Sequence, residues 1–226
     1  MAVEIDLMTY EDIPAAAKSS GFILIARKHF SIARNAHSLK LRCEWGIRNA
    51  VFHVARDPET KGLLGVAMWL PPTPASTPQT WSSYLSGWSL WVNQGLTNLR
   101  FGHGGLDVHR YWIWKSCQSE CQRDIWTDPN GYWFCNIVVV QPGEQGKGVG
   151  KKLFEQVTKQ ADKEGRKCYL ESSRDIPNTA IYERLGFKKV REMKCVDERD
   201  GVGCQLYCMV REPKRSGADD TQQAST

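Results

Sequence analysis

The stretch QPGEQGKGVGKKL, from Gln141 to Leu153, directly follows the apolar run Phe134–Val140. It contains four glycines within eight residues and then becomes rich in lysine, like the start of a helix. Because glycine has no side chain, several backbone N–H groups in such a loop can converge on phosphate oxygens, and the helix N-terminus adds favourable partial charge. A simple left-handed turn into a helix needs fewer glycines. The stretch therefore predicts a strand, a phosphate-binding loop and a helix in succession.

Two common nucleotide-binding motifs do not fit this loop. A Walker A loop needs a glycine where the chain has Gln145 and a Ser or Thr where it has Lys152. A dinucleotide-binding G-x-G-x-x-G motif needs its third glycine at Lys151 or Leu153, depending on which glycine pair begins it. The pattern that remains is Q-G-x-G-x-G, which argues against ATP and NAD as the bound phosphate compound.

The segment Val140–Gly150 reads V-x-P-x-x-Q-G-x-G-x-G and resembles the acetyl-CoA pyrophosphate loop of the GNAT N-acetyltransferases. Further along, CYLESS at Cys168–Ser173 and NTAIYERLGF at Asn178–Phe187 are similar to that family's fifth strand and to its fourth helix with the following turn. The resemblance covers roughly Gly131–Val190, and the first half of the chain matches in element order alone. The two motifs resemble those of family members that acetylate small amines.

The resemblance implies an α/β fold, the GNAT acyl-CoA N-acyltransferase fold, with a mixed, mostly antiparallel twisted sheet flanked by helices. The hydrophobic pattern agrees with it, because alternating runs such as Phe52–Arg56 and Leu63–Leu70 predict a hairpin around the turn DPETKG. Residues 81–126 are expected to form a helical insert before the fourth strand. We expect one domain over residues 1–212 and a disordered tail over 213–226, because the tail has almost nothing to bury.

The resemblance also implies where acetyl-CoA, the co-substrate, binds. Strand Ile137–Val140 would splay from the strand Cys168–Ser172, so that backbone groups of Val138 and Val140 bind the pantetheine and an N–H near Val139 polarises the thioester carbonyl. Without the resemblance, the run IVVV is simply a central strand of a buried sheet. The expected acetyl-CoA contacts are Val138, Val139, Val140, Gln145, Gly146, Lys147, Gly148, Val149, Gly150, Lys151 and Asn178.

Two residues near the second motif carry further expectations. Tyr182 matches the family tyrosine that protonates the departing thiolate, and a phenol with a pKa of about 10 is protonated at neutral pH. The alternative for Tyr182 is an aromatic ring that packs on the helix. Asn178 matches a residue whose amide binds the pantetheine, and the alternative is a helix N-cap.

The base that activates the acceptor is less clearly indicated. An amine with a pKa of about 10 must lose a proton before it attacks a thioester. Glu171, beside the expected gap, is the candidate that accepts this proton directly or through water, and a structural or substrate-positioning carboxylate is the alternative. Other candidates for the base are Asp175, Glu44, His103 and His109.

The acceptor side is expected to include an aromatic stripe, because five of the nine tryptophans lie between Trp81 and Trp114. The simplest interpretation is that these rings belong to the core. A second is that some line a pocket for an amine with an apolar or aromatic body, where they could also hold a cation by cation–π contact. The third, an amphipathic helix on a membrane, is disfavoured because the stripe lacks a belt of Lys and Arg.

The composition argues against nucleic acid and membrane partners, and the cysteine spacing argues against a metal site. A net charge of +5 is too small to indicate nucleic acid without a clustered basic patch, and no apolar run is long enough to span a membrane. The acidic N-terminus does not resemble a signal peptide, so we expect a protein of the cytoplasm, with the nucleus as a further location. The C-x3-C pairs Cys117/Cys121 and Cys204/Cys208 lack matching ligands, which predicts free buried thiols and no metal.

The leading functional hypothesis is therefore an N-acetyltransferase that moves an acetyl group from acetyl-CoA to a primary amine, a small molecule, by direct attack in a ternary complex. One alternative is a protein acetyltransferase acting on lysine or an N-terminus, which an acidic stripe for basic peptides would have favoured. The other is a non-catalytic acyl-CoA-binding module. The expected assembly is a monomer or a homodimer.

Overall fold

The computed structural model describes residues 2–19, 31–74, 76 and 81–214. The strands are β1 (Glu4–Leu7), β2 (Val51–Arg56), β3 (Leu63–Leu70), β4 (Tyr132–Val140), β5 (Lys167–Ser172), β6 (Lys188–Val196) and β7 (Gly203–Arg211). The helices are α1 (Ile13–Ser19), α2 (Ile32–Asn49), α3 (Trp81–Phe101), α4 (Val108–Ile125), α5 (Val149–Glu164) and α6 (Asn178–Arg184). The elements agree with the predicted order, including the helical insert between β3 and β4.

All seven strands form one sheet in the order β1-β2-β3-β4-β5-β7-β6. Neighbouring strands are antiparallel except β4 and β5, which are parallel. A parallel pair needs a crossover connection, and α5 supplies it. The prediction of a mixed, mostly antiparallel sheet flanked by helices is confirmed.

Helix α5 covers one face of the sheet behind the glycine-rich loop. Its buried side chains, among them Val149, Leu153 and Val157, recur every three or four residues and so form one apolar face. The helix ends at Gly165, whose φ of 62° lies in the left-handed region that glycine adopts without strain. The apolar face fixes where the helix lies, and it thereby fixes the loop that precedes it.

The opposite face of the sheet is covered by α1, α2 and α4. Helix α4 packs Cys121 against Tyr132, Phe134 and Tyr169 of the central strands. Its first turn is joined to the β6–β7 hairpin by Arg110, whose side chain donates hydrogen bonds to Asp197 Oδ2 at 3.1 Å and Asp200 Oδ2 at 2.6 Å. Hydrogen bonds and charge from Arg199 and Arg110 hold the pKa of Asp197 below its usual range. This network positions the helical insert against the far end of the sheet.

All eight cysteines are free, as predicted. Six are buried, but Cys117 and Cys204 are only half-buried, so the expectation of buried thiols is wrong for these two. The reason is that both lie at the margin of the contact between α4 and the β6–β7 hairpin, where packing is incomplete. Within the described ranges, no group of three or more His, Cys, Asp or Glu side chains is placed to hold a metal ion.

Some predictions fall outside the described residues. Residues 20–30 lie outside the description, and α2 begins after them at Ile32. Most of the tail, residues 215–226, also lies outside it, and its expected disorder stays a prediction. The described end of the chain contacts α5, because the Lys214 N–H donates to Asp162 Oδ1 at 2.7 Å. Among the described helices, none combines the length and apolar character needed to cross a bilayer.

Candidate active site

Strands β4 and β5 separate halfway along their length. They pair in parallel only from Tyr132/Lys167 to Cys135/Leu170, although β4 continues to Val140. At the point of separation, the pairing of β4 with β3 shifts by one residue, and Asn136 is the extra, exposed residue. A β-bulge of this kind bends its strand and increases the local twist. The gap that the sequence led us to expect is therefore present, and a bulge lies at its origin.

Backbone groups of β4 line this gap in alternation. The Gln141 N–H donates to the carbonyl of Leu64 on β3 at 2.9 Å, so the backbone groups of Val139, two residues earlier, also face β3. Those of Val138 and Val140 consequently face the gap. The expected N–H near Val139 is thus not that of Val139 itself, because β3 occupies it, and the neighbouring N–H groups are the ones available.

The glycine-rich loop has the backbone conformation that its composition predicts. Gly146 and Gly148 have φ values of 78° and 85°, in the region that side-chain-bearing residues avoid, and Gly148 is the N-cap of α5. The N–H groups of the first turn, at Val149, Gly150 and Lys151, have no carbonyl within the helix to bond. The Gln145 side-chain amide donates to the Val140 carbonyl at 3.3 Å and ties the loop to the strand.

The lysines of the loop make weak ion pairs. Lys147 Nζ lies 3.1 Å from Glu144 Oε2, and Lys151 Nζ lies 3.8 Å from Glu155 Oε1. Both lysines are exposed, and exposed pairs contribute about 0–1 kcal/mol. Either lysine can therefore exchange its carboxylate for a phosphate at little cost.

A cleft of about 1700 Å³ continues from the gap toward the helical insert. It brings together five of the predicted site residues, which are Val138, Val139, Glu171, Asn178 and Tyr182. The other predicted residues lie at the end of β4, in the glycine-rich loop and in the first turn of α5, and are not among the described lining residues of this cleft. The arrangement has two sides, with β4, β5 and α6 on one and α2, α3 and α4 on the other.

Glu171 lies on β5 where the two sides meet. Its carboxylate accepts hydrogen bonds from Gln118 Nε2 at 2.6 Å, Gln122 Nε2 at 3.1 Å and the Tyr169 hydroxyl at 3.0 Å. Burial raises the pKa of Glu171, and these donors together with the charge of Lys115 oppose that rise. Glu171 is thus held in one orientation with an oxygen lone pair still free, since a carboxylate can accept about four bonds.

Tyr182 lies on α6 and lines the cleft. Its ring centroid is 5.6 Å from that of Phe154 and 6.4 Å from that of Phe187. Burial, and next to it the neighbouring Cys135, raise the pKa of the phenol, so it remains protonated at neutral pH. The ring of Tyr182 therefore packs on its neighbours, as one interpretation has it, and the residue lines the cleft; its role as the acid stays a prediction.

Asn178 is the first residue of α6, and Pro177 occupies the N-cap position. The alternative that Asn178 caps the helix is therefore wrong. Of the other residues considered as the base, Glu44 lines the cleft, whereas Asp175, His103 and His109 are not among its described lining residues. His109 Nε2 instead lies 3.8 Å from Asp197 Oδ1.

Three described tryptophans of the aromatic stripe, Trp88, Trp91 and Trp112, are not core, contrary to the simplest interpretation, whereas Trp114 packs against a buried cluster. Trp91 and Trp112 are 59% and 49% exposed, and their ring centroids are 5.7 Å apart at the wall of the cleft. Trp114 lines the cleft as well. The stripe differs from a core because α3 packs on α2 rather than on the sheet, which leaves much of its apolar face uncovered. The side chains of Trp81 and Tyr84 lie outside the description.

Several polar residues of the site were missed by the sequence interpretation. Gln118 and Gln122 stand one helical turn apart on α4 and both bind Glu171. Lys115 Nζ donates to Gln118 Oε1 at 2.8 Å, so it joins the same network. A sequence pattern could have revealed them, because these polar residues recur at helical spacing among the apolar positions of α4.

Comparisons with known proteins agree with this geometry. Residues 109–189 match a family model described as an acetyltransferase (GNAT) domain. An uncharacterized N-acetyltransferase of Schizosaccharomyces pombe is 28% identical over 158 residues, which are 69% of this chain and 59% of that protein. This chain thus spans less than two thirds of that relative's length.

Solved structures share the fold at low identity. Arylalkylamine N-acetyltransferase 2 from Aedes aegypti gives a TM-score of 0.60 at 13% identity, over 95% of this chain and 100% of that chain. The ribosomal-protein-S18-alanine N-acetyltransferase from Escherichia coli gives 0.52 at 14% identity, over 96% and 98%. The first protein is named for a small-molecule acceptor and the second for a protein acceptor, so the shared fold does not choose between them.

Proposed function

Because the chain contains a GNAT acetyltransferase domain, we propose that it transfers an acetyl group from acetyl-CoA to the amine of a small molecule. The observation that carries this proposal is the separation of β4 from β5, which opens into the cleft that Glu171 and Tyr182 line. A thioester lying in the gap would thus reach a carboxylate and a phenol from one position.

The fit of acetyl-CoA rests on backbone groups. The gap-facing groups of Val138 and Val140 can pair with the amides of pantetheine as a neighbouring strand would. The N–H groups at the start of α5 suit the pyrophosphate, since a helix N-terminus favours negative charge. A Cβ built on Gly146 or Gly148 would meet no atom within 4 Å, which leaves open space for phosphate beside the loop.

The transfer itself needs one base, one acid and one oxyanion donor. Glu171 accepts a proton from the acceptor's ammonium, and the freed amine attacks the thioester carbonyl in a ternary complex. An N–H of β4 that faces the gap stabilises the tetrahedral oxyanion. The C–S bond then breaks, and the Tyr182 hydroxyl donates a proton to the departing thiolate. The second proton of the amine nitrogen leaves as the amide forms and returns through water to the tyrosinate, and Glu171 releases its proton to solvent. The amide product and the free thiol leave.

A small acceptor is favoured over a basic peptide by the charges of the cleft. Only two carboxylates are among its described lining residues, Glu44 and Glu171. A groove for lysine-rich peptides would present more acidic groups along its length. The aromatic wall at Trp91 and Trp112 instead suits an amine with an apolar or aromatic body.

Two measurements test the proposal. Acetyl-CoA is expected to raise the melting temperature, whereas ATP and NAD are not; stabilisation by ATP without stabilisation by acetyl-CoA would refute the assignment. Thiol release is then measured with arylamines, polyamines, amino sugars and lysine peptides. Preference for the peptides would favour a protein acetyltransferase, and binding of acetyl-CoA without thiol release from any acceptor would favour a non-catalytic module.

A further inference from the structure

Cationic side chains line the acceptor side of the cleft, which is the side formed by α2, α3 and α4. Arg34 and Arg42 of α2 and Lys115 of α4 all line it. Positions 34 and 42 are separated by two helical turns and lie on one face of α2. The two carboxylates of the cleft balance these cations only in part, because Glu171 attracts Lys115 but is also bound by glutamine and tyrosine donors, and Glu44 lies 3.8 Å from Lys40. The acceptor side of the cleft therefore carries an excess of positive charge.

Arg34 is a buried guanidinium whose partners are all neutral. It is 5% exposed, and it donates to Asn35 Oδ1 at 3.1 Å and to Asn98 Oδ1 at 2.5 Å. Its Nε is buried without a hydrogen-bond partner, and no carboxylate pairs with it in the described part of the chain. Buried charges in proteins are ordinarily paired, because removal of an ion from water is costly. The undescribed residues 20–30 and 77–80 contain no Asp or Glu.

The surrounding chain holds Arg34 in a fixed position. The Ser31 N–H donates to the Gly104 carbonyl at 3.2 Å, and Ser31 Oγ accepts from the Arg34 N–H at 3.2 Å. Gly104 has a φ of 56°, and a Cβ at this position would lie 2.8 Å from Arg34 Cδ. The loop therefore presses on the Arg34 stem. A guanidinium fixed before a ligand arrives loses little entropy when it binds one.

Arg42 and Lys115 extend this positive surface. Arg42 is exposed and makes no hydrogen bond or ion pair with another described residue. Burial lowers the pKa of both Arg34 and Lys115, and the positive charge of Arg42 lowers them further. Arg42 is thus close enough to repel both Arg34 and Lys115. An anion among them would relieve that repulsion.

Lys115 also connects this surface to the proposed base. Its Nζ donates to Gln118 Oε1 at 2.8 Å, and Gln118 Nε2 donates to Glu171 Oε2 at 2.6 Å. One glutamine side chain therefore separates a cation from the carboxylate that would receive the amine proton. A ligand with an amine near Glu171 and an anionic group near Lys115 would match both.

We propose that the acceptor carries an anionic group, a carboxylate or a phosphate, which Arg34, Arg42 and Lys115 bind while its amine faces Glu171. This inference rests on the proposed function and defines the substrate class, an amine with an acidic group such as an amino acid. Guanidinium groups suit both anions because their planar donors form paired hydrogen bonds with oxygen atoms.

The test measures binding and needs no turnover. N-acetylphenylalanine and its neutral amide, N-acetylphenylalaninamide, differ only in the anionic group, and quenching of the tryptophans of the cleft reports their binding. The acid is expected to bind about tenfold more tightly, as one charge-assisted hydrogen bond implies, and the advantage should shrink as salt is added. Phenyl phosphate against phenol repeats the comparison for phosphate and distinguishes the two anions.

Matched variants assign the effect to the cleft. Arg42→Gln, an exposed change that should leave folding intact, is expected to remove most of the advantage of the acid. Arg48→Gln, on the same helix but outside the described cleft lining, should preserve it. Equal binding of acid and amide, or no binding of either anionic probe, would overturn the proposal. Acetyl-CoA stabilisation is measured separately, so its absence would refute the proposed function without altering this result.

The tail provides one more control. Among the residues outside the described ranges, Asp219 and Asp220 are the only acidic ones. The double variant D219N/D220N is expected to bind the acid probe as the original chain does. An increase of about tenfold or more in its affinity would show that the tail supplies the anion, and this would overturn the assignment to the acceptor.

Discussion

The two sides of the candidate site are built in different ways. The proposed acetyl-CoA side uses backbone, because the gap along β4, the left-handed Gly146 and Gly148 and the first turn of α5 all present N–H groups. The acceptor side uses side chains, among them Trp91, Trp112 and Lys115. A backbone site depends on conformation, whereas a side-chain site depends on which residues stand at each position.

For this reason the two sides can be recognised in a sequence to different extents. A conformation such as a left-handed turn requires glycine in any sequence, so it leaves a motif that can be recognised. Side chains that line a pocket can be changed without altering the fold, and they set specificity. If the two sides function separately, a change on one side should leave binding on the other side unaltered.

The largest effect is expected at Glu171, where the sides meet. Glu171→Gln removes the proposed base and should lower kcat about 1000-fold, within the range of general-base catalysis. In the original chain, kcat/KM should fall as the pH drops through a midpoint above the ordinary 4.5, because burial raises the pKa and the protonated carboxyl cannot accept the amine proton. Steady-state rates between pH 4 and 9 would measure both.

Glu192→Gln serves as the control for that experiment. Glu192 lies on β6 and is not among the described residues that line the cleft. It should keep the activity and the pH profile of the original chain. If Glu171→Gln turned over at the original rate, Glu171 would be a structural carboxylate and the base would have to be sought elsewhere.

Tyr182→Phe should have the next largest effect, on the acetyl-CoA side. It keeps the ring that packs against Phe154 but removes the hydroxyl, so kcat should fall about 100-fold while the stabilisation by acetyl-CoA persists. Tyr132→Phe removes a different hydroxyl, one that donates to the Ile125 carbonyl at 3.2 Å. That control should lower the melting temperature and spare turnover. Unchanged turnover in Tyr182→Phe would show that another group protonates the thiolate.

The sequence predicted the acetyl-CoA side in more detail than the acceptor side. The strand, the glycine loop and the helix after it were predicted in the correct succession, because their patterns record backbone requirements. The N–H expected near Val139 could not be assigned to one residue, since the direction of backbone groups depends on strand pairing, which periodicity does not give. Asn136 was missed for the same reason, because a bulge is defined only by the partner strand.

On the acceptor side, the elements were predictable and their contacts were not. The apolar spacing of α3 predicted a helix, but spacing alone does not say whether the apolar face meets the sheet or a cleft. The burial of Arg34 could not be predicted from a local pattern, because it depends on Asn98 and Gly104, which are distant in sequence. Long-range packing, absent from any local pattern, determined these contacts.

Gly148→Ala tests the backbone side with a smaller change. A Cβ here would meet no atom within 4 Å, so the cost comes only from the left-handed φ of 85°. That cost is about 1–2 kcal/mol, which should raise the KM for acetyl-CoA about tenfold if the loop turns away from phosphate. Gly143→Ala has equal open space without a left-handed φ, and it should have no effect. Equal KM values for both variants would remove the loop from the acetyl-CoA site.

The smallest effect is expected on the acceptor side, from Trp91→Ala. Trp91 is already 59% exposed, so its loss should leave folding intact and raise the acceptor KM about fivefold, as a partly buried ring contact implies. Leu99→Ala, at an 84% exposed position of the same helix, removes apolar surface outside the described cleft lining and should change nothing. Melting curves with acetyl-CoA decide whether the sides are separate. If Trp91→Ala weakened acetyl-CoA binding as much as acceptor binding, the aromatic wall would belong to both substrates, and the division between a backbone side and a side-chain side would fail.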